Sequence, residues 1–108
     1  MKSREQALAI AKKVRSELEE LYHERLREVY LFGSCARDEA TDNSDLDMAV
    51  VLDQVPSLFA EAERTAQMGS QISLAEDTLV NFLFLPQEDF QSGKYAVCRA
   101  IRREGLVV

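Results

Sequence analysis

The 108-residue chain is poor in the groups that build metal and redox centres, holding two cysteines, Cys35 and Cys98, and one histidine, His23. Two thiols so far apart make neither the close ligand spacing of a zinc site nor a disulfide framework, so a reducing, cytoplasmic setting is expected. Taken singly, Cys98 reads as a small core residue on a helix and Cys35 as a filler between its neighbours. His23 stands among Glu19, Glu20, Glu24 and Arg25 and reads as a solvated helix end, not a catalytic base. No apolar run is long enough to span a membrane, and no secretory h-region is present, so no membrane partner is expected. Basic residues are also scarce: 13 Lys and Arg face 19 Asp and Glu, for a net charge of -6 and a pI near 4.8. That balance excludes a general nucleic-acid binder with a basic face. Repeats, linkers and low-complexity segments are lacking too. With 46% hydrophobic residues, the chain is expected to form one small domain over residues 1–108.

What is present is a regular alternation of helical and strand patterns. Leu8, Ala11, Val14, Leu18, Leu21 and Tyr22 recur at helical spacing and predict a helix over residues 3–25, with Ser3 and Gln6 in capping-box positions. Val29 to Phe32 reads as a buried strand and Leu46 to Leu52 as a second. Pro56 is expected to open a long helix through about Leu74, with Leu58, Phe59, Ala62, Ala66, Met68 and Ile72 on its apolar face. Thr78 to Leu85 predicts a third strand interrupted by Pro86, Glu88 to Gln91 a turn of helix, and Lys94 to Arg103 a last helix introduced by Gly93. Phe82, Phe84 and Phe90 are expected in the core. Lys94, Arg99, Arg102 and Arg103 form a late basic patch whose simplest reading is favourable charge at a helix C-terminus. The fold class is therefore α/β (α+β), a small mixed sheet of three to four strands flanked by helices.

The chemistry concentrates between the first two strands, where Gly33-Ser34 is followed after ten residues by Asp45-Leu46-Asp47. Glycine after a strand permits close backbone approach and unusual φ angles. Ser34 is a candidate cap for a short helix over Cys35 to Asp38, whose free N–H groups would receive phosphate oxygens. Arg37 lies in the same turn and would add further donors. Residues at i and i+2 share a strand face, so Asp45 and Asp47 aim together, about 7 Å apart along the backbone. Paired carboxylates of this kind bind a divalent cation. A bare Asp-x-Asp is usually a turn residue followed by a solvated strand position, and it is the preceding Gly-Ser that favours the chemical reading.

Gly33-Ser34-x-Ala36-Arg37, then Ser44-Asp45-x-Asp47 and an apolar strand, resembles the signature of the DNA polymerase β-like nucleotidyltransferase superfamily, in its minimal nucleotidyltransferase (MNT) branch. The closing Phe90-x-x-Gly-Lys-Tyr and Ile101-Arg102-Arg103-Glu104-Gly105-Leu106 are similar to tails found in these proteins. The resemblance implies a polymerase β-like core. It also implies Mg²⁺ and ATP, with Asp45 and Asp47 as catalytic metal ligands and Gly33, Ser34 and Arg37 on the nucleotide. It further implies a partner, because minimal nucleotidyltransferases commonly pair with an all-helical HEPN toxin. The implied role is that of an antitoxin transferring AMP from ATP to a tyrosine of that toxin in a hetero-oligomer.

One position departs from the family pattern. The third carboxylate, on a later strand, aligns with Asn81, and an amide carries no charge and cannot act as a base at neutral pH. Three readings stay open. The chain is a weakened enzyme that neutralises its toxin by binding alone; or the departure is tolerated; or the alignment is shifted and Asp77 or Glu76 supplies the charge. Asp77 is a poor substitute, lying about 13 Å from Asn81 along an extended chain.

Overall fold

The computed structural model describes residues 3–37, 39 and 45–108. Helix α1 (Arg4–Tyr22) begins with the predicted capping box, the Gln6 N–H donating to Ser3 Oγ at 3.1 Å and the Ser3 N–H donating to Gln6 Oε1 at 2.8 Å. It ends three residues earlier than the periodicity suggests. His23 takes φ 51°, outside helical space, and a short 3-10 turn over His23–Arg25 leads into the sheet. Strand β1 (Leu26–Phe32) and strand β2 (Leu46–Leu52) are antiparallel neighbours. Helix α2 (Leu58–Glu76) then crosses over to strand β3 (Val80–Pro86), which pairs parallel to β2. Short helix α3 (Gln87–Ser92), helix α4 (Ala96–Glu104) and a two-residue strand β4 (Leu106–Val107) complete the chain.

The sheet order is β3-β2-β1-β4. Strand β4 escapes a period-based reading because two residues carry no alternation. It is held by pairing with Tyr30 and Leu31, by the Val108 N–H donating to the Val29 carbonyl at 3.0 Å, and by Arg15 reaching the Val108 carbonyl. Pro86 ends β3 rather than interrupting it, which an edge strand tolerates because it needs no donor toward solvent. Central β2 has helices over both faces and is buried along its whole length except at Asp47, explaining its nearly continuous apolar sequence. Val14, Leu18, Leu31, Met48, Val50 and Phe84 fill the core under α1 and α2, while Ala49, Val51, Leu85, Phe90, Cys98 and Ile101 fill the one under α3 and α4. Cys98 and Phe90 are core residues as expected, and Phe82 is half-buried at the edge.

Helix α2 keeps part of its predicted face, with Met68 and Ile72 packed against the core, and departs from it elsewhere. The helix opens at Leu58 rather than at Pro56, and Ser57 is its cap, its Oγ accepting from the Ala60 N–H at 3.2 Å. Leu58 and Phe59 are 63% and 72% exposed, and the buried residues are Glu61, Thr65 and Gly69. Two local contacts account for the innermost positions. Glu61 is drawn inward by Tyr22, Arg25 and Arg64, and Gly69 lets the helix lie against the Phe82 ring, where a β-carbon would sit 3.1 Å from Cε2. The late basic residues behave as helix-end charge: Arg99 and Arg102 donate to the carbonyls of Gly93 and Gln91, both at 2.8 Å, beyond and within α3. No helix among the described residues is long and apolar enough to cross a membrane.

Candidate active site

The ladder between β2 and β3 fixes the centre of the site. The Leu46 N–H donates to the Leu79 carbonyl at 2.8 Å, and the register that follows sets Asp47 opposite Asn81. Asn81 Nδ2 donates to Asp45 Oδ2 at 3.0 Å and to Asp47 Oδ1 at 3.2 Å. The two carboxylates thus converge on one nitrogen, and Asn81 occupies the third corner. The shifted alternatives are not needed: Glu76 is ion-paired with Lys13 at 2.6 Å, and Asp77 is the left-handed cap of α2.

Gly33 closes the site from the β1 side, where Phe32 pairs with Asp47. It adopts φ +75°, and a β-carbon built on it would lie 2.5 Å from Asp47 Oδ2. Both features require glycine: the left-handed backbone disfavours a side chain, and the carboxylate packs into the space a β-carbon would fill. After it, Ser34 to Arg37 form a turn, not the predicted short helix. The Gly33 carbonyl accepts from the Arg37 N–H at 3.2 Å, the spacing of one helical turn, but the Ser34 carbonyl accepts from the Glu39 N–H at 2.9 Å, one residue further on, so the helical path ends within a turn. Asp38 and Ser44, the predicted helix end and the residue before Asp45, lie outside the described residues.

Two residues that the sequence reading passed over hold this turn. Cys35 is buried, and its thiol donates to the Asp45 carbonyl at 3.4 Å, linking the turn to the start of β2. From α1, Arg4 donates to the Ala36 carbonyl at 2.9 Å. A hint of the first was present, since Cys35 and Ala36 are small apolar residues within a polar loop; nothing in the sequence pairs Arg4 with Ala36. Arg37 is exposed and ion-paired with Glu39 at 3.4 Å and Glu104 at 3.9 Å, so its guanidinium has carboxylate partners of its own.

The donor set suits a hard cation. Two carboxylate oxygens within 3.2 Å of a common point, backed by an amide, match the oxygen ligands of a small divalent ion. Among the described residues no three His, Cys, Asp or Glu side chains gather to hold a metal, and the carboxylate pair with the amide is the set they provide.

The buried polar cluster lies at the other end of the sheet. Glu61, 3% exposed, accepts from Tyr22 at 2.8 Å, from Arg25 at 3.1 Å and from Arg64 at 2.8 Å, while Arg25 also pairs with Asp53 at 3.1 Å. Burial pushes the Glu61 carboxyl up, but the hydrogen bonds from Tyr22 and Arg25 and the charges of Arg25 and Arg64 outweigh it and hold the group below the usual carboxylate range. Tyr22 is pushed far above the ordinary tyrosine value, first by burial and then by its bond to Glu61. The cluster joins α1, α2 and the strand ends, and His23 beside it is solvent-exposed.

Comparison with known proteins bears on family and fold. A family model described as a nucleotidyltransferase domain matches residues 11–103. A protein of Methanocaldococcus jannaschii named as a proposed protein adenylyltransferase is 28% identical over 74 residues, 68% of this chain and 74% of its own length. The crystal structure of a proposed nucleotidyltransferase from Sulfolobus solfataricus superposes with a TM-score of 0.69 at 21% identity, covering 96% of this chain and 80% of that one. A chain from a complex of the tri-AMPylated HEPN toxin of Shewanella oneidensis with its MNT antitoxin superposes with a TM-score of 0.60 at 18% identity, covering 94% and 70%. These two structures share the fold of the chain.

Proposed function

The chain belongs to the nucleotidyltransferase-domain family, and we propose on that premise that it transfers AMP from ATP to a tyrosine of a partner HEPN toxin, acting as its antitoxin. The observation that carries this reading is the convergence of Asp45 and Asp47 on one point beside the side-chain-free Gly33. The adenylyltransferase name of the Methanocaldococcus relative and the AMPylated toxin in the Shewanella complex support the transferred group and the partner.

In this mechanism Asp45 and Asp47 would hold Mg²⁺. The ion, when bound, supplies positive charge that neutralises the triphosphate and the departing pyrophosphate. The Gly33 backbone and the Ser34 hydroxyl grip phosphate oxygens, and Arg37 joins them by leaving Glu39 and Glu104. The tyrosine oxygen forms its bond to the α-phosphorus as the bond to pyrophosphate breaks, and the phenolic proton passes to solvent. Asn81 cannot take that proton. Tyrosine, with an ordinary pKa near 10, needs less help from a base than an aliphatic alcohol does.

The test is intact mass of the helical partner after incubation with this chain, ATP and Mg²⁺, beside an Asp45→Asn/Asp47→Asn double variant. Added multiples of AMP with the wild type and none with the variant support the reading; equal modification by both would sink it. The neutral Asn81 favours a second reading, in which the chain silences its toxin by binding alone. Under that reading no mass is added and the partner is still inhibited in a stable complex.

A further inference from the structure

Asn81 does more than vacate a carboxylate position. Its side chain is a planar group with two donors at one end and an acceptor at the other. In the structure the donor end is turned inward, and Nδ2 is shared between Asp45 Oδ2 at 3.0 Å and Asp47 Oδ1 at 3.2 Å. The nitrogen therefore stands where both carboxylates aim, the point a cation would claim. Cation and amide N–H groups compete for the same two oxygens, and both cannot hold them at once. The register of β3 against β2 keeps the Asn81 backbone opposite Asp47, so the conflict is relieved at the side chain. Asn81 is exposed and has room to turn. Rotation of the amide end for end withdraws the donors and offers the carbonyl oxygen, a neutral ligand of the hard type that Mg²⁺ and Mn²⁺ accept.

Charge sets the second half of the argument. Two carboxylates balance one dication. A second dication roughly 3.5–4 Å away, as in two-metal sites, is held by the nucleotide phosphates together with a further anionic side chain, and among the described residues the third corner supplies a neutral amide.

We infer that Asn81 is a specificity-determining clasp: it closes the aspartate pair when no cation is present, turns over when one binds, and limits the site to a single divalent ion where a carboxylate would admit two. The inference rests on the proposed function only in assigning the aspartate pair to a cation. Its consequence is a transferase whose protein ligands hold one ion alongside the nucleotide.

The experiment uses the full chain and Mn²⁺, counted by electron paramagnetic resonance in the presence of α,β-methylene-ATP and without any acceptor. The wild type is expected to hold one Mn²⁺ per nucleotide complex and Asn81→Asp two, with the first Mn²⁺ bound about 10-fold more tightly by Asn81→Asp than by the wild type, as an added anionic ligand implies. A second measurement needs no variant. In a Mg²⁺ titration followed by NMR, the Asn81 side-chain amide protons should shift over the same concentration range as the Asp45 and Asp47 backbone amides. Two Mn²⁺ per wild-type complex, a single one for Asn81→Asp, or Asn81 amide protons indifferent to Mg²⁺ would each overturn the clasp. The Asp45→Asn/Asp47→Asn variant separates the two ideas. If it binds Mn²⁺ as the wild type does, the aspartates are not the cation site and the proposed function loses its centre; a wild-type count of two leaves that function standing and removes only the clasp.

Discussion

Replacing Gly33 with alanine tests the site at its tightest contact. The residue sits at φ +75°, where an alanine costs about 1–2 kcal/mol relative to its preferred backbone. The new methyl would also meet Asp47 Oδ2 at 2.5 Å. Ordinary carbon–oxygen contact requires the carboxylate to retreat by roughly 1 Å. That retreat breaks the 3.2 Å bond from Asn81 to Asp47 Oδ1, a loss of well under 1 kcal/mol at so exposed a position. Together the terms predict a destabilisation of about 1–2 kcal/mol and a fall in melting temperature of about 5–10 °C for a domain this size. The displaced ligand should weaken Mn²⁺ binding about 10-fold. Asparagine separates the two causes, because it tolerates the left-handed backbone but carries the same β-carbon. Gly33→Asn should therefore lose less stability than Gly33→Ala while losing Mn²⁺ affinity equally. Thermal melts in the presence of a chelator and Mn²⁺ titrations read the two effects independently. If Gly33→Asn binds Mn²⁺ as tightly as the wild type, the close approach of Asp47 is not what requires glycine here.

The Glu61 cluster should govern stability and leave the site untouched: Glu61→Gln keeps an acceptor for Tyr22 but removes the buried charge that Arg25 and Arg64 face, at a cost of about 2 kcal/mol at neutral pH by chemical denaturation. Because the folded-state pKa of Glu61 is depressed, its contribution is fully present above the ordinary carboxylate value and is lost as the pH falls through the folded value, so the gap between wild type and Glu61→Gln should narrow on acidification; a gap independent of pH would refute the assignment. Arg4→Ala removes the bond to the Ala36 carbonyl and should cost less than about 1 kcal/mol in stability while weakening ATP binding several-fold, with unchanged nucleotide affinity counting against a supporting role for α1.

Where local chemistry decided the structure, the sequence was legible. The capping box at Ser3, strand β2, Gly33 at a special backbone position and the shared face of Asp45 and Asp47 all follow from residue type and spacing, and each lies where those rules put it. Asn81 was placed opposite the aspartates by family resemblance, and the parallel register of β3 with β2 provides the physical reason. Tertiary effects were not legible. The inward face of α2 was read from Leu58, Phe59, Ala62, Ala66, Met68 and Ile72; Met68 and Ile72 do pack against the core, but Leu58 and Phe59 stay exposed, and a buried acid with three donors and one glycine against Phe82 take the innermost positions. The turn after Gly33 was read as helix because Ser34 is a good cap, but the Glu39 N–H bonds to the Ser34 carbonyl and ends that path within a turn. Strand β4 was missed because its evidence is the pairing with β1, which two residues cannot announce.

The two polar clusters sit at opposite ends of the same strands and obey opposite rules. Glu61 is buried and its hydrogen-bond partners surround it, so its charge is committed to joining α1, α2 and the strand ends and has no capacity left for a ligand. Asp45, Asp47 and Asn81 are solvent-accessible in varying degree and share one nitrogen between two carboxylates, which leaves lone pairs on both acids unspent. A strand of seven residues separates the ends by about 20 Å, far enough for changes in one cluster to add to changes in the other. The position of the acids is set by β2, the strand with helices on both faces, and the amide stands on β3, an open edge. The two acids therefore stand on the strand packed on both faces, while the amide stands on the exposed edge of the sheet. On this division a substitution in the Glu61 cluster changes how firmly the helices are joined, and one at Asn81 changes what the acids face without disturbing the core.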